Sequence, residues 1–200
     1  FYVSPSNQEA YDLINSWPNW IKRIVNISGP SGSGKSHLAS ILKGKTSCLQ
    51  IDSNKLNEKI FLKFKIKETL IIENLDENIY EKLLFSLWNI ALQDNKYILI
   101  TSTRPISSYK FKLRDLISRV NSSLIIGINL PSDDLISAIL AKNFSDKQIK
   151  VEKNHIDYII KRIDRSYEKI SQFISIMDKY SLKKGEPFSL KLIKEVLKMI

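Results

Sequence analysis

The chain has 200 residues, a formal net charge of +10 and one cysteine. Its 43% hydrophobic and 26% charged content belongs to globular proteins and excludes a disordered chain. Cys48 alone excludes an intramolecular disulfide and a cysteine-based zinc site, and no apolar run is long enough for a transmembrane helix. The two histidines, His37 and His155, argue against a histidine-rich metal centre. No secretory leader is visible, so a cytoplasmic setting without membrane contact is expected. The chain begins at Phe1, and a further segment upstream is expected. Lysines are spread over every segment, so any DNA contact is expected to be weak or indirect.

Ser6 or Asn7 is suited to cap a first helix, which ends before Trp17-Pro18. Five apolar runs follow: Ile24–Ser28, Ser47–Ile51, Leu70–Ile72, Tyr97–Thr101 and Leu124–Ile128. They are aliphatic or aromatic and do not alternate, as in strands buried on both faces of a parallel sheet. Helical segments are predicted between them at Lys35–Lys43, near Asn54–Glu58, at Glu77–Gln93 and at Lys112–Val120. Strands alternating with helices predict a three-layer α/β domain with a five-stranded parallel sheet. After Leu130-Pro131 the strands stop. Ser132 is predicted to cap a helix to about Asn143, and Asn154–Ile163, Ser166–Tyr180 and Ser189–Met199 read as three more. The expected organisation is an α/β domain over 1–130 and a small all-helical domain over 131–200.

Gly29 to Ser36 reads GPSGSGKS, a full G-x-x-x-x-G-K-[ST] phosphate loop between a strand and a helix. Glycines allow backbone N–H groups to turn toward phosphate oxygens, and the helix N-terminus adds partial positive charge. Pro30, Ser31, Gly32, Ser33, Gly34, Lys35, Ser36 and His37 are therefore candidate nucleotide contacts. Lys35 suits the β and γ oxygens, and the Ser36 hydroxyl suits Mg²⁺. A carboxylate at a neighbouring strand end is needed for the metal's water shell, and Glu73 is the candidate. Asn74 follows it, and a neutral amide is no general base, so intrinsic hydrolysis is expected to be weak at most. Ser102 and Thr103 end the fourth strand, where a hydroxyl is suited to sense a γ-phosphate. Arg119 closes a helix just before the fifth strand, where its planar fork is suited to a nucleotide on a neighbouring subunit.

Together these features resemble the AAA+ ATPases, and specifically the DnaA-type replication initiators, over almost the whole chain. Phe1, Tyr2, Asn7 and Ala10 resemble the family's adenine-side entry. The phosphate loop, LIIENLD, ITSTRP (Ile100–Pro105) and LISRV (Leu116–Val120) stand in family order. Within that group the chain looks most like the short Hda-like regulators that inactivate DnaA. It ends at the fourth lid helix without a helix-turn-helix domain, the Asp52 to Thr69 connection is short, and Glu73 is followed by Asn74. Trp17-Pro18-x-Trp20 before the first strand also resembles the regulators.

The resemblance implies bound ADP or ATP with Mg²⁺, and DnaA as partner. It implies Arg119 as an arginine finger acting in trans, stimulating hydrolysis of DnaA-bound ATP with the DNA-loaded sliding clamp and so preventing reinitiation. A homodimer stays open. Glu168 stands where the family's lid sensor arginine is expected, which leaves Arg165 nearby as the substitute. The regulators' clamp-binding peptide has no counterpart in Phe1–Ile14 and is expected upstream. The alternative is a self-contained AAA+ ATPase such as a helicase loader, or a DNA-binding initiator-like protein.

Overall fold

The computed structural model describes residues 1–147, 149, 151–184 and 189–200, with 181–184 by backbone alone. It divides into two compact units. One comprises Asn7–Pro30 and Gly34–Ile128, and the other Phe1–Ser6, Ser31–Ser33 and Asn129–Ile200.

The first unit is a three-layer α/β fold. Its strands are β1 (Ile24–Ser28), β2 (Cys48–Asp52), β3 (Thr69–Leu75), β4 (Tyr97–Ser102) and β5 (Leu124–Gly127). All pair in parallel in the order β2-β3-β4-β1-β5. The helices are α1 (Gln8–Asn15), α2 (Lys35–Lys43), α3 (Ile60–Lys65), α4 (Glu81–Gln93) and α5 (Arg114–Ser122). Ile72, Leu75, Ile98 and Ile100 face one side of the sheet and pack with Ile60 and Phe64 of α3, Leu84 and Trp88 of α4, and Leu116 and Val120 of α5. On the opposite side α1 and α2 pack on each other and reach β5 and β4. Every residue of β1 is buried, because covered faces leave no solvent side for polar alternation.

Register places the site. Ser28 of β1 and Leu75 of β3 both pair with Ser102, so β1, β4 and β3 end level at their carboxyl edge. In open parallel sheets that edge is where ligands bind.

Most elements shift by a few residues at their ends from the sequence reading, and three of the differences have an identifiable local reason. Strand β3 continues past Ile72 to Leu75 through a register shift, with Asn74 at φ 55°. The polar pair Glu73-Asn74 interrupts the apolar run without interrupting the pairing. The helix expected near Asn54–Glu58 is a 3-10 turn at Ser53–Lys55, held by Asp52 accepting from the Asn54 amide, and α3 starts later at Ile60. Helix α4 starts at Glu81 rather than Glu77, because the Asp76 carboxylate accepts from the Asn78 amide and holds a turn there.

The second unit contains α6 (Asp133–Asp146), α7 (Lys153–Ile160), α8 (Tyr167–Lys184) and α9 (Leu190–Leu197). Ser132 caps α6 by accepting from the Leu135 amide, and Ser189 caps α9 through the Leu192 amide. Its core is apolar, with Leu140, Phe144, Ile159, Phe173, Met177 and Ile193 buried together. No helix among the described residues is long and apolar enough to cross a membrane.

Candidate nucleotide-binding site

The phosphate loop leaves the end of β1 and turns into α2. Gly34 is the residue before α2, at φ 93°, and Gly32 lies at φ 79°. Both are conformations that L side chains rarely adopt, which is why glycine stands at these two places. Gly29 anchors the start of the loop by donating its amide to Ser102 O at 3.1 Å. Gly32 is exposed but has Tyr167 of its own unit close by. A Cβ built there would lie 3.1 Å from the Cβ of Tyr167. Tyr167 itself is buried, and its hydroxyl donates to Asn129 O at 3.2 Å.

Lys35 opens α2, and its Nζ donates to Gly29 O and Pro30 O, both at 2.7 Å. The ammonium thus folds back over the loop it belongs to. Burial pushes its pKa below the ordinary lysine value. Ser33 is buried, whereas Ser31, Ser36 and His37 are exposed and Pro30 is half-buried. The first amides of α2 have no intrahelical acceptors, and their dipole favours an anion at this end.

Glu73 lies within β3, half-buried, on the strand separated from β1 by β4. Its Oε2 accepts from Gln50 Nε2 at 2.8 Å, and its Oε1 is buried with no hydrogen-bond partner. An unsatisfied buried carboxylate oxygen calls for a donor or a cation. It therefore fits a magnesium ion's water shell. Among the described residues no cluster of three or more His, Cys, Asp or Glu could hold a metal. Magnesium suits such a site, because it keeps its waters and takes one or two carboxylates together with phosphate oxygens. Asn74 turns the other way. Its Nδ2 donates to Asp52 Oδ2 at 2.7 Å, and its amide donates to Thr101 Oγ1 at 3.2 Å.

The β4 tip is divided. Ser102 is fully buried, with its Oγ donating to Arg104 O at 2.7 Å and accepting from Asn26 Nδ2 at 2.8 Å. Thr103 is exposed. Arg104 forms an ion pair with Glu77 and lies 5.3 Å from the centre of the Tyr109 ring. Asn26 escapes notice in the sequence reading, yet its side chain also accepts from the Ile106 amide at 3.0 Å and donates to Ile100 O at 3.2 Å. A lone asparagine inside Ile24–Ser28 is the signal that marks it. Gln50, which orients Glu73, stands equally alone in β2.

The remaining candidates sit on other elements. Arg119 is exposed in the last turn of α5, and among the described residues its guanidinium has no hydrogen-bond or ion-pair partner. Asn7 precedes α1, buried, without a side-chain capping bond. In the second unit Phe1 is half-buried and Tyr2 exposed. Arg165 there pairs with Asp133 in the first turn of α6, at 3.0 Å.

No protein-family model matches the chain. It is 24% identical over 227 aligned residues to the chromosomal replication initiator protein DnaA of Borreliella afzelii (strain PKo), covering 100% of this chain and 47% of that protein. Among solved structures, domain III of the Thermotoga maritima replication initiation protein DnaA superposes with a TM-score of 0.81 at 19% identity, covering 99% of this chain and 93% of that one. The chain is similar to the AAA+ domain of DnaA. AMPPCP-bound DnaA from Aquifex aeolicus superposes with a TM-score of 0.73 at 17% identity, covering 89% of this chain and 63% of that one. The DnaA-like chain spans about half the length of the curated relatives it matches.

Proposed function

We propose that this DnaA-like chain binds an adenine nucleotide, ADP or ATP with Mg²⁺, and acts in trans as a regulator of DnaA. In this reading it promotes hydrolysis of DnaA-bound ATP, together with the DNA-loaded sliding clamp, and so prevents reinitiation of replication. The observation that carries it is Arg119, an exposed arginine on α5 whose guanidinium has no hydrogen-bond or ion-pair partner among the described residues. An always-charged, exposed planar fork suits the spread charge of a transferring γ-phosphoryl group on another subunit.

The chain's own nucleotide has a different task. A bound nucleotide with its magnesium supplies the phosphate charge that the loop is shaped to take. Lys35 would exchange Gly29 O and Pro30 O for phosphate oxygens, with Pro30, Ser31, Gly32, Ser33 and Gly34 lending backbone amides and His37 extending α2's first turn. Ser36 Oγ and Glu73 would hold the magnesium and its waters, and Ser102 and Thr103 would mark the γ-phosphate end. Phe1, Tyr2 and Asn7 would serve the adenine side, and Arg165 would stand in for the lid sensor. Glu73 is followed by Asn74, whose amide is committed to Asp52. That leaves no base beside Glu73 on β3 to activate water, so the nucleotide is held rather than consumed.

The test is ATP turnover by DnaA on DNA carrying the loaded clamp, with and without this protein. Stimulation is expected, and Arg119→Ala should abolish it while nucleotide binding persists. An arginine finger supplied in trans contributes on the order of 10³–10⁵ in rate, so the loss should be plain. No stimulation by the folded, nucleotide-bound protein would give the place to a self-contained ATPase such as a helicase loader.

A further inference from the structure

Helix α3 and its C-terminal cap expose aliphatic side chains in addition to the pair that faces the core. Ile60 and Phe64 point inward and are 4% and 0% exposed. Leu62 and Ile66, also four residues apart, are 75% and 79% exposed. Leu62 sits on α3 about half a turn away from Ile60 and Phe64, and Ile66 caps the end of the helix, so two exposed aliphatic side chains stand within five residues of chain. Single exposed leucines are ordinary, but two such side chains so close together are not needed by the fold.

Charge surrounds the pair. Between Ser53 and Lys67 stand Lys55, Lys59, Lys63, Lys65 and Lys67, against the single acid Glu58. Helical spacing sets Lys59 and Lys63 on one flank of Leu62 and Lys65 on the other. Lys55, Lys59, Lys63 and Lys65 are exposed, and among the described residues their ammonium groups have no ion pair.

The end of the helix is also tied to the sheet. Lys96, at the foot of β4, donates from Nζ to Lys65 O at 2.8 Å and to Lys67 O at 2.7 Å. It sits 5.7 Å from the centre of the Phe64 ring. One cation thus takes the carbonyl of the last residue of α3 and that of Lys67 just beyond it, and lies beside the core residue Phe64. A short helix fixed this way presents its outer face with little ordering left to lose on binding.

We propose that the outer face of α3 is a docking surface for an acidic peptide segment of a protein partner, one carrying aliphatic side chains that cover Leu62 and Ile66. Charge complementarity selects the acid, and the exposed pair selects the aliphatic anchors. Single-stranded nucleic acid fits less well. It is gripped by stacking on aromatic rings, and here Phe64 is buried and Phe61 packs against the core. A lipid surface also fits less well, because membrane-surface helices bury a long apolar face and α3 has six residues.

The experiment uses the whole chain and a fluorescein-labelled helical peptide in which glutamates flank two leucines spaced four apart. A second peptide has alanines in place of the leucines. Binding is read by fluorescence anisotropy, with labelled oligothymidylate and anionic phosphatidylglycerol vesicles as further probes. The leucine peptide should bind, and the alanine peptide should bind about tenfold more weakly or worse, as expected for uncovered leucines. The double variant Leu62→Ser, Ile66→Ser should erase that difference, and Lys59→Glu, Lys63→Glu should remove binding of both peptides. All of these positions are exposed, so unchanged melting temperatures are expected and check folding. Equal binding of the two peptides, no binding of either, or capture of only oligothymidylate or vesicles would overturn the proposal.

Discussion

Asn26 Nδ2 and Ser102 Oγ meet at 2.8 Å inside the sheet, joining the strand that launches the phosphate loop to the tip of the strand beside it. The same asparagine accepts from the Ile106 amide and donates to Ile100 O, so one side chain ties β1 to the whole turn after β4. Replacing it by alanine leaves these groups in an interior that offers no water. Asn26→Ala is expected to cost about 2–4 kcal/mol, a size typical of a broken buried polar network. Urea unfolding followed by circular dichroism measures it. A loss within error of zero would mean that the network carries no stability.

Lys35 gives a pH prediction. Its pKa is depressed by burial, so it surrenders its proton earlier than an ordinary lysine as pH rises. Phosphate attraction needs the ammonium form. Nucleotide affinity should therefore be flat through neutral pH and fall in the alkaline range, before the usual lysine value is reached. Lys35→Arg should bind more weakly but with no such fall, since guanidinium stays charged. Titration with a fluorescent ADP analogue from neutral to alkaline pH compares the two profiles.

Gly32 cannot accept even a methyl group without strain. At φ 79° an alanine is disfavoured by about 1–2 kcal/mol, and its Cβ would meet the Tyr167 Cβ at 3.1 Å. Gly32→Ala should lower the melting temperature by a few degrees and weaken nucleotide binding. Trimming Tyr167 to alanine retains that Cβ, so the double variant should show no rescue in a thermal melt.

Glu81, the first residue of α4, reaches across to the chain entering α5. Its carboxylate accepts from the Lys112 amide at 3.0 Å and the Leu113 amide at 2.7 Å. Charge-assisted bonds of this kind are worth about 1.5–3 kcal/mol each, less where solvent reaches them. Glu81→Ala should destabilise the start of α5, the helix that bears Arg119. Amide hydrogen exchange should rise in Arg114–Leu116 more than in α4, and an even rise across both helices would count against a local role.

Much of the fold could be read from residue order alone. Strand β1 and helix α2 lie where a mainly apolar run and a glycine-flanked periodic segment put them. Such signals are local. The phosphate loop was legible for the same reason, since glycine, lysine and serine at fixed offsets have one joint use. What stayed hidden depends on partners distant in sequence. The link from Asn26 to Ser102 joins neighbouring strands whose residues lie far apart in sequence, and Gln50, which engages one oxygen of Glu73, stands one strand over. The start of α4 was misread because a single carboxylate, Asp76, can outcompete helix propensity over one turn. The exposure of Leu62 and Ile66 was invisible because composition cannot say which apolar side chains face the core.

The register shift in β3 has one more consequence. Ile72 faces the α4 side, and strict alternation would turn Leu75 toward the opposite layer. The additional residue between them resets the phase, so that Leu75 pairs with Ser102 and is buried with Ile72 in the same apolar cluster. Glu73 and Asn74 thereby occupy a stretch of chain whose spelling the layers do not dictate. The strand is hydrophobic on both sides of a two-letter gap, and those two letters are free to vary with the chemistry at the edge while the packing frame downstream keeps its phase.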